Sequence, residues 1–336
     1  MNNLYCGVDI AKDTAMFHLI NQDGLRLGSE NFANAVKGFK KAESWLRNLA
    51  KKFKPFHVHV CMEATGVYYL PLAKFFHGKT GITVLVANPA QVKSYAQAEL
   101  VRTKTDSVDA GVIARFAMAV KPAPWTPPAP QEEEILYIVR HIDAIKEMRQ
   151  AEENRLHALD ASGADASEVH AAITNMIKFM DGQIDKLEQR LRDISKNDPD
   201  VGEKIRLLRS IPGVGETTAF NLLAELGDIG RFKNGKQVTA YAGLAPSEKT
   251  SGTSVRGKST INKRGSSRLR KSLFFPALTA KKVNPVVKEL FDRLVAAGKN
   301  RKLAVVACMR KLLHIAYGVL KNKKEFDAEH GKQIFA

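Results

Sequence analysis

Residues 3–10, 14–20 and 25–32 are short runs of apolar and β-branched residues, separated by turn residues at Lys12-Asp13 and at Asn21-Gln22-Asp23-Gly24. Such runs between such turns predict three short strands joined as a meander. Asn34 is placed to cap a helix reaching about Lys52, and after Pro55 the run HVHVCMEA reads as a buried strand ending at an acid, Glu63. A helix over about 68–77, the strand ITVLVA, a helical stretch opened by Pro89 and the helical segment DSVDAGVIARFAMAV follow.

Three antiparallel strands followed by alternating helices and strands match the ribonuclease H-like plan, a mixed sheet flanked by helices. Five prolines between Pro122 and Pro130 make a stiff boundary that neither a helix nor a central strand crosses. Beyond it, Ile135, Ile138, Ile142, Ile145, Leu156 and Leu159 fall on a heptad track interrupted by Arg149 and Glu152, and Ile173, Met180, Ile184, Leu187, Leu191 and Ile194 form a second. Two long helices in an antiparallel hairpin are expected, either packing within the chain or pairing with another copy. Next, LLRSIPGVGETTAFNLLAEL turns sharply at Ile211-Pro-Gly-Val-Gly, the pattern of a helix-hairpin-helix whose glycines, Gly213 and Gly215, offer backbone N–H groups to a phosphate. The expected domains are residues 1–125 (α/β), 131–200 (α-helical coiled-coil linker) and 201–325 (mainly α).

Charge sharpens this division. The net of +17 is distributed as about +7 over residues 1–130, −7 over 131–200 and +17 over 201–336. From Arg231 to Lys282 there are 13 basic residues and one acid, Glu248, a density that reads as a nucleic-acid surface. Cys6, Cys61 and Cys308 are odd in number and far apart, which excludes a disulfide framework and a zinc knuckle. No run of 18 apolar residues and no signal layout occurs, so no membrane and a cytoplasmic location are expected.

Four acids stand out: Asp9 in the first strand, Glu63 at the end of the fourth, and Asp106 and Asp109 one helical turn apart. In the expected fold they converge, and like charges so close call for cations; hard oxygen ligands suit Mg²⁺ or Mn²⁺, which activate phosphodiesters. Taken singly, each acid is an ordinary strand-end or helix-cap residue. Asp9 and Glu63, however, sit in otherwise apolar strands, where a lone carboxylate is costly. Within the basic stretch, Ser251-Gly252 is followed by Arg256, Lys258, Lys263, Arg264, Arg268 and Arg270, so a small hydroxyl on a turn is ringed by phosphate-binding cations. His57 and His59 alternate on one strand without other ligand types near in sequence and argue for no metal.

The motifs GVDIAKD, MEATGVYY, RTKTDSVDA, IPGVG, YAGLAP, SGTS and KRGSSRLR, in that order over about residues 4–320, resemble those of bacterial insertion-sequence transposases with an Asp-Glu-Asp-Asp domain, the bridge-RNA-guided recombinases. The resemblance implies a RuvC-like domain similar to Holliday-junction resolvases, a coiled-coil linker and a transposase domain with a serine nucleophile. It implies that Asp9, Glu63, Asp106 and Asp109 hold Mg²⁺, and that Ser251 attacks the DNA backbone to form a phosphoserine. Ser254, three residues on, is the alternative nucleophile. It further implies donor and target DNA and a non-coding bridge RNA as partners, and dimers assembling to a tetramer at the bacterial nucleoid. Sequence choice would then rest on base pairing, with the protein gripping backbone and shape. The runner-up is a two-metal nuclease or junction resolvase acting by hydrolysis. An actin-like sugar kinase would need glycine-rich nucleotide loops that residues 120–200 lack, and a nucleic-acid chaperone would leave the strand carboxylates without a role.

Overall fold

The computed structural model describes residues 1–101, 105–247, 250–251, 255–256, 260–261 and 265–329, with backbone alone at 247, 250–251, 255–256 and 260. The chain divides into two compact units, Met1–Pro127 and Pro128–Ala336.

The first unit is mixed α/β. Its strands are β1 (Asn2–Ile10), β2 (Thr14–Ile20), β3 (Arg26–Ala33), β4 (Phe56–Glu63) and β5 (Ile82–Ala87), in the sheet order β3-β2-β1-β4-β5. β1 to β3 form the antiparallel meander, while β4 runs parallel to β1 and β5 parallel to β4. Parallel strands need both faces covered. Leu4, Cys6, Val8, Phe17, Leu19, Val58, Val60 and Met62 point one way, into a core with Phe39, Leu46, Leu72 and Phe76 of α1 (Val36–Ala50) and α2 (Leu70–Phe76). The alternate residues Tyr5, Ile20, Cys61 and Leu85 meet Val92, Val112, Ile113 and Phe116 of α3 (Pro89–Ala98) and α4 (Asp106–Val120) on the other face. The period-2 alternation thus yields a three-layer unit. Past α4 the chain returns along β5, where Trp125 N–H donates to the Val84 carbonyl at 2.8 Å and covers part of that sheet edge.

One expected cap is corrected. α1 starts after Ala35, which makes no side-chain cap. Asn34 instead donates through Nδ2 to the carbonyls of Ala11 at 2.9 Å and Tyr68 at 3.2 Å, so the side chain that would cap the helix ties neighbouring loops together.

The second unit is helical apart from short strand pairs. α5 (Pro130–Ser162) and α6 (Ser167–Asn197) lie antiparallel, as Lys146 pairs with Glu188 at 3.0 Å and Arg149 with Asp181 at 2.5 Å. These pairs explain the interrupted heptad track, since Arg149 also holds Glu153 at 2.8 Å and Glu152 holds Arg155. Ile135, Ile138, Ile142, Ile145, Ile184, Leu191 and Ile194 join one core with the helices that follow: α7 (Pro199–Arg209), α8 (Glu216–Leu226), α9 (Gly235–Tyr241), α10 (Ser267–Val283), α11 (Pro285–Ala296) and α12 (Arg301–Asn322). α12 is long and apolar enough to cross a membrane by length and composition, yet Cys308, Leu312, Leu313 and Ala316 on it are fully buried in this core. Between α9 and α10, β6 (Pro246–Ser247) pairs with β9 (Thr260–Ile261), and β7 (Thr250–Ser251) with β8 (Val255–Arg256).

Candidate active site

Asp9 and Glu63 are neighbours by register. β1 and β4 pair in parallel through Val8↔Met62, and each acid is the next residue along its strand. Asp9 follows the alternation of Tyr5 and Gly7, and Glu63 that of Cys61, so both belong to the face covered by α3 and α4. Burial pushes the Cys61 thiol up to about 12, and the Glu63 carboxylate beside it pushes the same way. Both acids are half-buried at the ends of their strands. Their position tempers the burial expected from the surrounding apolar residues: the sheet opens toward solvent there, and the cost of a charge is correspondingly lower.

The helix that brings the other two acids is set down by a glycine. A Cβ at Gly7 would lie closer than 3.0 Å to both the Ala110 carbonyl oxygen and the Ala114 backbone nitrogen, so α4 crosses β1 with backbone almost touching backbone. Asp109 is the residue before Ala110, and Asp106 lies one turn nearer the helix start. That start is fixed a second time, by Ser107 Oγ at 3.2 Å from Ser29 Oγ of β3 and by Thr105, whose hydroxyl accepts from Val108 N–H at 3.3 Å. Asp106 is exposed and Asp109 half-buried, both where the helix dipole favours anions. The fold therefore brings Asp9 and Glu63 side by side and sets the acidic first turn of α4 on the same face. Among the described residues, no three His, Cys, Asp or Glu side chains converge closely enough to hold an ion. The donors are nonetheless all carboxylate oxygens, the set that fits a hard divalent cation.

His18, on this face of β2, escaped the sequence reading. Its ring lies against Gly111 of α4, and burial, then Arg26 and Arg115, lowers its pKa while a hydrogen bond to the Ser107 backbone opposes the shift. No local pattern marks it. Gly7, by contrast, is readable as a lone glycine inside a strand run.

In the second unit, Ser251 pairs through its backbone with Val255 and Arg256 with Thr250. Ser254, Lys258, Lys263 and Arg264 lie outside the described residues. Arg268 is exposed on the first turn of α10. Arg270 donates through Nη1 to the carbonyls of Ala242 at 2.9 Å and Gly265 at 3.2 Å. Gly213 takes φ +98° and backs onto α10, where an added Cβ would be 2.7 Å from Ala280 Cβ, so both its backbone conformation and its packing call for glycine. Gly215 precedes α8 with open space beside it.

Residues 6–159 match a family model described as "Transposase", of the DEDD type, and residues 205–292 match one described as "Transposase IS116/IS110/IS902 family". The "Pilin gene-inverting protein" of Moraxella bovis is 30% identical over 331 residues, covering 97% of this chain and 98% of that protein. The chain belongs to the IS116/IS110/IS902 family of transposases. The protein of the same description from Moraxella lacunata is also 30% identical over 97% of this chain and 98% of its own length. The "Transposase for insertion sequence element IS1111A" of Coxiella burnetii is 30% identical over 151 residues, which is 44% of this chain and 40% of that protein. The transposase is thus a DNA transposase/recombinase enzyme, and its DEDD-type domain implies dependence on a divalent metal.

Proposed function

We propose that this transposase is an RNA-guided recombinase of an insertion sequence that cuts and rejoins DNA through a phosphoserine at Ser251, with Asp9, Glu63, Asp106 and Asp109 holding Mg²⁺ or Mn²⁺. The observation that carries the metal half is the Gly7–Ala110 crossing, which sets the start of α4 on the sheet face bearing Asp9 and Glu63. In this reading the first unit is RuvC-like, α5 and α6 form a coiled-coil linker between copies in a dimer and tetramer, and the α7–α8 turn is a helix-hairpin-helix. A non-coding guide RNA and a nucleoid location rest on the family resemblance; the charge map supports the phosphate contacts that a protein leaving sequence choice to base pairing needs above all.

Bound at the four acids, the divalent ion would polarise the scissile phosphodiester and steady the charge that develops on its oxygens. As Ser251 Oγ bonds to phosphorus the O3′–P bond breaks, and the proton lost by the serine hydroxyl ends on the departing O3′, leaving a phosphoserine and a 3′-hydroxyl. Attack by a second 3′-hydroxyl on that phosphorus restores a phosphodiester and returns the serine, so no energy source is consumed. Arg256, Lys258, Lys263, Arg264 and Arg268 would hold backbone phosphates near the reacting one.

The test uses supercoiled donor and target DNA with Mg²⁺ and the RNA that co-purifies with the full chain. Joined products are expected, with protein-linked DNA on denaturing gels after quenching. Ser251→Ala should abolish the adduct, and Asp9→Ala the joining. Cleavage that accumulates without any protein-linked DNA would overturn the serine route in favour of hydrolysis, and full activity in Ser251→Ala with adduct retained would move the nucleophile to Ser254.

A further inference from the structure

The two feet of the segment between α9 and α10, at Tyr241–Gly243 and Gly265–Ser266, are tied to each other. Ser266 N–H donates to the Tyr241 carbonyl at 2.9 Å. Gly265 allows the approach: a Cβ there would be 2.6 Å from Gly243 N and closer still to the Tyr241 oxygen. Arg270, one turn into α10, reaches back so that its Nη1 donates to Ala242 on one foot and Gly265 on the other, at 2.9 and 3.2 Å, and more weakly to Ser266 at 3.4 Å. Beneath the second foot, Ser266 Oγ donates to Glu225 Oε2 at 3.2 Å, while Arg140 Nε of α5 donates to Glu225 Oε1 at 3.0 Å. Glu225 is only 6% exposed, an ionisable group that packing would exclude unless both oxygens were engaged.

We infer that Arg270 and Glu225 are positioning residues that clamp the feet of the Ser251 loop, the role of Arg270 being carried by Nη1 on the backbone carbonyls of both feet and not by a nucleic-acid phosphate. The inference rests on the reading of Ser251 as nucleophile. The chemistry distinguishes the two roles of Arg270 sharply. A phosphate contact is largely kept by lysine, which carries the same charge, whereas a lysine ammonium is one atom shorter and does not reach the position from which Nη1 donates to both feet. Through Arg140 the clamp also joins the loop to the long helix α5, so a shift of that helix is transmitted to the loop's second foot by two hydrogen bonds.

The experiment compares Arg270→Lys, Arg270→Ala and Glu225→Gln in the full chain. It reads three quantities: the rate of protein-linked DNA formation at saturating DNA, the DNA dissociation constant as a function of salt, and amide exchange at Ser266. Arg270→Lys is expected to keep affinity and salt slope within about twofold, yet to slow adduct formation by roughly tenfold to a hundredfold, the scale of an ångström-sized misplacement. Arg270→Ala and Glu225→Gln should speed exchange of the Ser266 amide while the global melting transition persists. A wild-type rate in Arg270→Lys, or weaker binding with an unchanged rate at saturation in Arg270→Ala, overturns the clamp in favour of phosphate binding. Should the wild type itself give no protein-linked DNA, the serine reading is what fails. The clamp is then judged by Ser266 exchange alone, which it requires to rise in Arg270→Ala, and an unchanged exchange rejects it.

Discussion

Replacing Gly7 by alanine tests the crossing on which the proposed carboxylate site depends. The new methyl would meet the Ala110 oxygen and the Ala114 nitrogen at less than 3.0 Å, and both are backbone atoms of α4, which no rotamer change can move aside. Ordinary carbon contacts lie near 3.4–4 Å, so the helix must retreat from the sheet by about 1 Å or bend locally. Overpacking of this kind costs about 1–3 kcal/mol, and the upper end applies because the strand is central and covered on both faces, with Cys6 and Val8 fully buried beside it. About 3 kcal/mol corresponds to a fall in Tm of roughly 10 °C for a unit of this size. A retreat of the α4 start would also carry Asp106 and Asp109 away from Asp9 and Glu63, costing about a hundredfold in turnover even in protein that remains folded. The assay is urea unfolding followed by near-ultraviolet circular dichroism, with strand joining measured well below the unfolding midpoint. Wild-type stability together with wild-type joining in Gly7→Ala would refute the placement of α4 on β1.

Gly182 lies in mid-helix of α6 with open space where a Cβ would go, so Gly182→Ala should stabilise the helical unit by about 0.5–1 kcal/mol, read as a raised urea midpoint. Asn284 is fully buried, caps α11 by accepting from Val286 and Val287 N–H at 3.1 and 3.2 Å, and donates to the Pro212 carbonyl at 3.3 Å. Asn284→Ala should therefore cost about 2–3 kcal/mol, checked by the same unfolding. Burial with Arg310 and Lys311 nearby lowers the His314 pKa from 6.5 to about 4. Between those values the unfolded chain binds the proton that the folded chain refuses, so this group's contribution to stability is complete above pH 6.5 and is lost as pH falls toward 4. His314→Leu should flatten the stability–pH curve over that window relative to wild type.

The sheet was legible because its information is local. Each strand's alternation is complete within eight or so residues, and turn residues bound the first three strands, so existence and facing follow from period 2 alone. Sheet order was less accessible: β1 is central because β4 pairs with it in parallel through Val8↔Met62, a contact between residues 54 positions apart that no window contains. Asn34 shows how a local rule is overridden. It has the right side chain at the right place for a cap, yet three backbone carbonyls within its reach, those of Ala11, Lys12 and Tyr68, compete for the same amide. Arg149 and Glu152 looked like defects of a heptad and prove to be satisfied polar positions, with partners on the facing helix or one turn away.

The site divides along the same line. Asp9, Glu63, Asp106 and Asp109 could be singled out because each violates or punctuates a local pattern: a charge in an apolar strand, or acids in a helix's first turn. What the sequence lacks is the device that sets the start of α4 on the face of Asp9 and Glu63, a glycine whose absent Cβ lets the helix cross β1 and a pair of serines on β3 and α4. In the second unit the linear pattern is less selective. Charge density makes every cation from Arg256 to Arg270 look like a phosphate ligand, since density is all that a linear reading can weigh. The structure distinguishes Arg268, exposed on the first turn of α10, from Arg270, whose Nη1 donates to the carbonyls of Ala242 and Gly265. Glu225 is inconspicuous for the converse reason. A single acid in LLAEL reads as the polar face of a helix until Arg140, 85 residues earlier, and Ser266, 41 residues later, are brought to its two oxygens. Groups that hold a loop by hydrogen bonds across such distances leave no local trace beyond a charge in the wrong company. Buried acids flanked by leucines are therefore the positions where a positioning role is best sought.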